Sequence, residues 1–217
     1  MSATLRRTCA AVSAAAACLG CGAQPAANHP APPVRAAPSP TVPAGQVTGG
    51  WHLTVYYTPV ESYHGPPQSS ITDCSGAALG RHSAEFLDRV RTEGFGRIVT
   101  PLRGFSYLGW DFDRGCWFTA GTPVGADDRP LQPWGSTAAP ASIAVGRRLR
   151  VVGCGTNVDA AACARVMGAA WTVDDRCIGC GDPRHLDLYV GEEDRPNFEQ
   201  DSPNYFDAHE AVVALLG

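Results

Sequence analysis

Residues 171–191, WTVDDRCIGCGDPRHLDLYVG, gather the side chains best suited to chemistry. In HLDLYVG, Leu186, Leu188 and Val190 alternate with His185, Asp187 and Tyr189. Alternation at period two is strand geometry, so three apolar residues share one face and Asp187 lies on the other. A carboxyl flanked by Leu and Tyr loses water. That loss disfavours the charged form, raises the pKa and suits the group to give a proton near neutral pH. Asp174 and Asp175 stand twelve to thirteen residues upstream, where a hairpin would return them beside Asp187. A second carboxyl there would raise one pKa further or orient a substrate hydroxyl. The plain alternative is that Asp174 and Asp175 open a turn and Asp187 is simply solvated.

Between these acids lie Cys177 and Cys180. Six cysteines follow the N-terminal region, at 74, 116, 154, 163, 177 and 180. Cys154 with Cys163 and Cys177 with Cys180 are local bridge candidates, leaving Cys74 with Cys116; sequence alone leaves the pairing open. The rival is zinc on Cys177, Cys180, His185 and one further ligand. A lone CxxC lacks the second cysteine pair or paired histidines of an ordinary zinc motif, and an oxidising compartment favours the disulfide. The chain also lacks GxSxG, HExxH and a glycine-rich phosphate loop. His52, His64, His82, His185 and His209 are scattered, each reading as a surface or hydrogen-bonded residue. The expectation is no metal and no cofactor.

The elements that must position these groups are short. Residues 51–58, WHLTVYYT, alternate Leu53 and Val55 with aromatic and polar groups and read as a strand. Residues 83–93 carry Phe86, Leu87 and Val90 at helical spacing between Ser83 and Gly94, which reads as a capped helix. Short strands broken by turns follow across 98–116, then a loop at 127–135 and a strand at 148–152. A helical turn at 160–167 and strands ending at 173 and covering 186–190 come next. The pattern of residues 205–216 reads as an amphipathic helix closing the chain. Many short strands with few helices indicate a mainly β fold, a small barrel with helical decorations.

The composition, 44% hydrophobic and 18% charged, is that of a globular chain. A net charge of -4 without a lysine offers no clustered basic face, which excludes nucleic acid as a partner. Arg6 and Arg7 precede an apolar run, so residues 1–21 read as an export signal. The signal is of plain secretory type or of lipoprotein type, with Cys21 as the lipidation candidate. Residues 22–50 are rich in Pro and Ala and read as an extended spacer, with the folded domain, residues 51–217, starting near Trp51. The protein is thus expected outside the cytoplasm, secreted or in the cell envelope, with any membrane attachment made through a lipid and with a monomeric state.

Three segments together resemble a known family. TVDDRCIGCGDPRHLDLYVG resembles the signature of the three-aspartate (3D) domain, VYYTPVES the Tyr-Thr-Pro strand of membrane-bound lytic transglycosylase A and its small stationary-phase relatives, and SIAVGRRLRVVG their central strand. The resemblance covers most of residues 51–191. It implies a double-psi β-barrel with helical insertions and a C-terminal helix, glycan strands of peptidoglycan as the partner, and their non-hydrolytic cleavage to 1,6-anhydro-muramyl ends. Carried over residue by residue, it makes Asp187 the catalytic acid and base and Asp175 its partner, with Asp174 next in line. Tyr57 and Thr58 match residues lining the groove, with His185 and Tyr189 beside them as substrate contacts. A non-catalytic glycan-binding module, stacking sugars on Tyr57, Trp110 and Trp117, is the alternative. The chain departs from the family where the first of the three aspartates falls on Ala139 or Pro140, and where a cysteine-bearing turn replaces a glycine-rich one.

Overall fold

The computed structural model describes residues 45–216. The expected export signal, the lipidation candidate Cys21 and most of the expected spacer lie outside these residues. The chain runs β1 (Val47–Thr58), β2 (Ser69–Thr72), β3 (Ala78–His82), α1 (Ala84–Glu93), β4 (Phe95–Leu102), β5 (Phe105–Asp111), β6 (Cys116–Ala120) and β7 (Ser136–Ala139). It continues through β8 (Arg148–Gly153), α2 (Ala160–Gly168), β9 (Trp171–Arg176), β10 (His185–Glu192), α3 (Phe198–Asp201) and β11 (Ala208–Leu215). Six strands close a barrel in the order β1-β10-β7-β9-β8-β11. Two of its pairs, β1 with β10 and β7 with β9, are parallel.

The barrel interior is filled by residues at every second position. Leu53 and Val55 of β1, Leu186 and Leu188 of β10, Trp171 and Val173 of β9 and Val213 and Leu215 of β11 share one apolar cluster. Leu53, Leu186 and Leu188 are wholly buried, and burying each such side chain stabilises the fold by ~1.5–3 kcal/mol. The alternation expected for β10 is therefore present, with its acid on the outside.

Between β1 and β7 the chain inserts a second apolar cluster. Phe86, Leu87 and Val90 of α1 pack against Ile71, Leu79, Ile98, Leu108 and Trp117 from a two-stranded sheet, β2-β3, and a three-stranded one, β4-β5-β6. Helix α1 begins as its sequence foretells, with Ser83 Oγ accepting from the Phe86 N–H at 3.0 Å. It ends at Gly94, whose φ of +88° few side chains would adopt.

Two expectations are corrected. Residues 205–216 hold no helix; Ala208–Leu215 is β11, a barrel strand antiparallel to both β1 and β8. AHEAVVAL places apolar residues at spacings that suit either period, and pairing with two distant strands decides between them. The barrel also begins before Trp51, since Val47 and Thr48 pair with Ala214 and Val213. These two residues carry too little apolar pattern to reveal a strand by themselves. The three cysteine pairs 74–116, 154–163 and 177–180 form disulfides.

Candidate active site

A cleft of about 630 Å³ opens on the outer face of the barrel. Its floor is a row of residues on four adjacent strands: Thr54 of β1 opposite Asp187 of β10, Asp187 opposite Ala138 of β7, and Ala138 opposite Asp175 of β9. All four line the cleft. Neighbouring strands lie ~4.8 Å apart, so the backbones carrying the two aspartates stand roughly 10 Å apart. On the strand between them stands Ala138, whose side chain is a single methyl group. The opposite wall comes from the insertion, with Glu93 and Phe95 at the end of α1 and start of β4 and Trp110 and Phe112 at and just after the end of β5.

Burial drives the electrostatics of this floor. It raises the Asp187 carboxyl; the Thr54 hydroxyl, donating to Asp187 Oδ1 at 2.7 Å, pulls the other way, and the Asp175 charge adds to the rise. The net position is about 6. Asp175 is also raised, by burial, against N–H donors from the Arg176 and Ala126 backbone, the first at 2.7 Å. The loop before Ala126 must approach closely to supply that donor. A Cβ on Gly125 would lie 2.4 Å from the Asp174 carbonyl oxygen and 2.9 Å from Asp175 Cβ.

Glu93 is a third acid of the cleft. Burial lifts it to about 8, opposed by the Tyr57 backbone N–H that donates to Oε2 at 3.2 Å and reinforced by the Asp187 charge. A carboxylate in the last turn of α1 would also oppose the helix dipole. With a pKa of about 8, Glu93 is mostly protonated at pH 7 and able to donate a hydrogen bond. Tyr56, on the same strand face as Thr54, is held well above its usual range by burial and by Asp175 and Asp187.

Of the residues singled out from sequence, Asp187 and Asp175 come together on the cleft floor, Trp110 and Cys177 line its edges, and the rest lie elsewhere. Asp174 is buried behind β9, where Ser136 Oγ donates to it at 2.7 Å and Arg129 Nε at 2.8 Å. It anchors a loop, and the polar face of β9 belongs to its neighbour. Tyr57 points into the barrel, its ring 4.7 Å from that of Phe198 and its hydroxyl donating to Glu199. Tyr56 takes the cleft position instead, because the strand alternation runs one residue out of step with the motif match. Thr58 and Tyr189 are both buried and joined by a 2.7 Å hydrogen bond between hydroxyls. His185 is set back from the cleft and contacts Thr54 Oγ1 through Nε2 at 2.7 Å. Trp110 lines the cleft, whereas Trp117 is in the core of the insertion. Ala139 faces the barrel interior.

The sulfurs of Cys177 and Cys180 are joined to each other, so the zinc reading of this turn loses its two thiolates. Cys177 and Ile178 edge the cleft beside Asp175. Sequence reasoning missed Thr54, Tyr56, Glu93, Phe112 and Ala138. For Glu93 a signal existed: an acid at the C-terminal end of a helix, immediately before the terminating glycine, sits against the dipole. Ala138 and Phe112 gave none.

No family model and no curated protein matches the chain. Solved structures do. MltA of Escherichia coli with bound chitohexaose superposes with a TM-score of 0.51 at 15% identity, covering 77% of this chain and 72% of that one. The membrane-bound lytic murein transglycosylase of Agrobacterium tumefaciens superposes with a TM-score of 0.51 at 15% identity, covering 76% and 73%. With its closed six-stranded barrel and its cleft floored by β1, β10, β7 and β9, this chain has the fold of the MltA-type lytic transglycosylases, the double-psi β-barrel its motifs foretold.

Proposed function

We propose that this protein is a peptidoglycan-cleaving, lytic transglycosylase-like enzyme of the cell envelope, with Asp187 as its acid and then its base. The observation that carries the reading is Asp187 itself. It is a carboxyl raised to about 6 on the floor of an open cleft, hydrogen-bonded to Thr54 and faced across Ala138 by Asp175. Protonated, Asp187 gives its proton to the glycosidic oxygen as the bond to the anomeric carbon breaks and the alcohol leaves. The resulting carboxylate takes the proton of the muramyl 6-hydroxyl while that oxygen closes on the anomeric carbon. Asp187 ends reprotonated, the product is a 1,6-anhydro sugar, and water takes no part. One carboxyl poised near the working pH can serve both steps. Burial keeps the Asp187 pKa high, the Asp175 charge adds to the rise, and Asp175 stands where it can orient a sugar hydroxyl. Neutral Glu93 presents a donor from the opposite wall. The glycan in the MltA structure supports a chitooligosaccharide as the laboratory ligand. Among the described residues no helix is long and apolar enough to cross a membrane, and attachment through Cys21 belongs to the same proposal.

Incubation of the protein with purified peptidoglycan should release 1,6-anhydro muropeptides detectable by mass spectrometry. Asp187→Asn, which keeps the shape and removes the titrating proton, should lower the rate by roughly 10²–10⁴-fold. Anhydro products formed equally by Asp187→Asn would remove Asp187 from the chemistry. A second reading, a glycan-binding module without cleavage, is favoured by one observation: the first family aspartate is replaced, and Ala139 is enclosed in the barrel interior. Retention on insoluble cell wall with no soluble product would select it.

A further inference from the structure

Three histidines scattered through the sequence meet where β1, β10 and the start of β11 lie side by side. The ring of His52 lies tilted by 30° against that of His185, centroids 4.2 Å apart, and stacks on that of His209 at 4.5 Å with planes 12° apart. The Nε2 atoms of His52 and His209 converge on one oxygen, Asp207 Oδ1, at 2.6 Å and 3.1 Å. We propose that His52, His209 and Asp207 form a binding site for a divalent transition-metal ion of the zinc class, separate from the catalytic cleft.

Two imidazoles and one carboxylate are a donor set that suits zinc and its neighbours in the first transition row. Ligand atoms ~2.0–2.2 Å from a tetrahedral ion stand roughly 3–3.5 Å from one another. The 2.6 Å His52 separation falls short of that spacing because a hydrogen bond now joins those atoms, whereas the 3.1 Å His209 separation already lies within it. A small rotation of Asp207, whose side chain is 63% exposed, and a turn of the 51% exposed His209 ring out of its stack on His52 open the triangle to that size and aim both in-plane lone pairs at the ion. Binding would replace the His52 hydrogen bond and the His209 ion-pair contact: each neutral imidazole carries its proton on Nδ1 and turns the Nε2 lone pair to the ion. Because His209 and Asp207 face solvent, water can fill the remaining positions.

The backbone holds the two histidines side by side before any ion arrives. His52 is paired with His185 inside the parallel ladder of β1 and β10. His209 is pinned by a bridge to Thr156, whose N–H donates to the His209 carbonyl at 2.8 Å. That bridge depends on Gly155, at φ +73°, where a Cβ would lie 1.8 Å from the His209 carbonyl oxygen. The site would clamp β1 to β11 next to the strand pair that carries the acid. From His52 the contacts run through the His185 ring to Thr54 Oγ1 and on to Asp187 Oδ1.

The test uses the full chain, oxidised and stripped of metal with chelator. Zn²⁺ titrated by calorimetry should bind at one equivalent and raise the melting temperature, as any ligand selective for the folded state must. Co²⁺ should give the visible absorption of a tetrahedral or five-coordinate nitrogen and oxygen site. The double variant Asp207→Asn with His209→Ala should weaken Zn²⁺ binding by at least about tenfold and lose the thermal shift. Should the double variant unfold early without metal, the single change Asp207→Asn at an exposed position gives the same reading. The proposal is overturned if the wild-type chain binds no stoichiometric Zn²⁺ or if the variants bind it as the wild type does. It is equally overturned if binding appears only after reduction and is abolished by Cys177→Ser with Cys180→Ser, which would put the ion on the neighbouring sulfurs and His185.

Discussion

Asp187 is held in the cleft by its neighbours in the chain. Leu186 and Leu188 are wholly buried on the inner side of β10, so the carboxyl between them is fixed on the outer side and cannot turn away. Burial then sets its pKa high, and the Thr54 hydroxyl limits the rise by favouring the charged form. The sign follows for activity. Proton donation needs the neutral carboxyl, whose population falls as pH rises through about 6, so the rate of glycan cleavage should decline across that value. Thr54→Val removes the hydrogen bond to the carboxylate. A hydrogen bond to a charged group is worth ~1.5–3 kcal/mol, so the alkaline limb of the pH-rate profile should move upward by roughly one unit. A limb that stayed in place would show that Thr54 does not govern Asp187.

At the scale of elements, α1 carries an energetic burden at its end. Its start, with Ser83 as cap, and its apolar stripe of Phe86, Leu87 and Val90 follow ordinary rules, and both were legible from composition and spacing. Glu93 follows neither, being an acid at the negative end of the helix and turned into a cleft. Its folded pKa of about 8 lies above the ordinary 4.5, so between those values the native state binds more protons than the unfolded chain. Stability is therefore lost as pH rises from about 4.5 to about 8. Glu93→Gln keeps an oxygen for the Tyr57 N–H and removes the titration. Urea unfolding should find the variant close to wild type near pH 5 and more stable by on the order of 1–3 kcal/mol near pH 9. Equal stability at the higher pH would mean that Glu93 ionises at its ordinary value. Strand β11 shows the opposite limit of local reading. Its residues satisfy a helical period as well as a strand's, and the ladders to β1 and β8, both far away in sequence, make it a strand.

At the scale of the whole molecule, the cleft exists because the barrel and the insertion meet. The barrel brings Asp187 and Asp175; the insertion brings Glu93 and, with Trp110 and Phe112, aromatic faces of the kind on which sugars stack. Phe112 is 47% exposed and contributes little to either core, so Phe112→Ala should leave the melting temperature near that of the wild type. Retention on insoluble peptidoglycan, or affinity for a chitooligosaccharide, should fall by roughly 3- to 10-fold. Unchanged binding would place the glycan elsewhere than against this wall.

The sequence by itself determined the local features: the alternation that puts Asp187 outside β10, the caps and stripe of α1, the mainly β class, and cysteine positions compatible with the three bridges found. The tertiary structure alone decided which groups meet. Alternation assigns a residue to a face, but says nothing of which strand lies alongside, and the parallel pairs β1-β10 and β7-β9 join segments distant in the chain. Those pairings set Asp175 and Asp187 on either side of Ala138 and gave Thr54 to the acid. They left Asp174, one residue from Asp175, buried against Ser136 and Arg129. The gathering of His52, His185 and His209 has the same origin: each was an isolated polar residue on its own segment until closure of the barrel brought the three segments side by side.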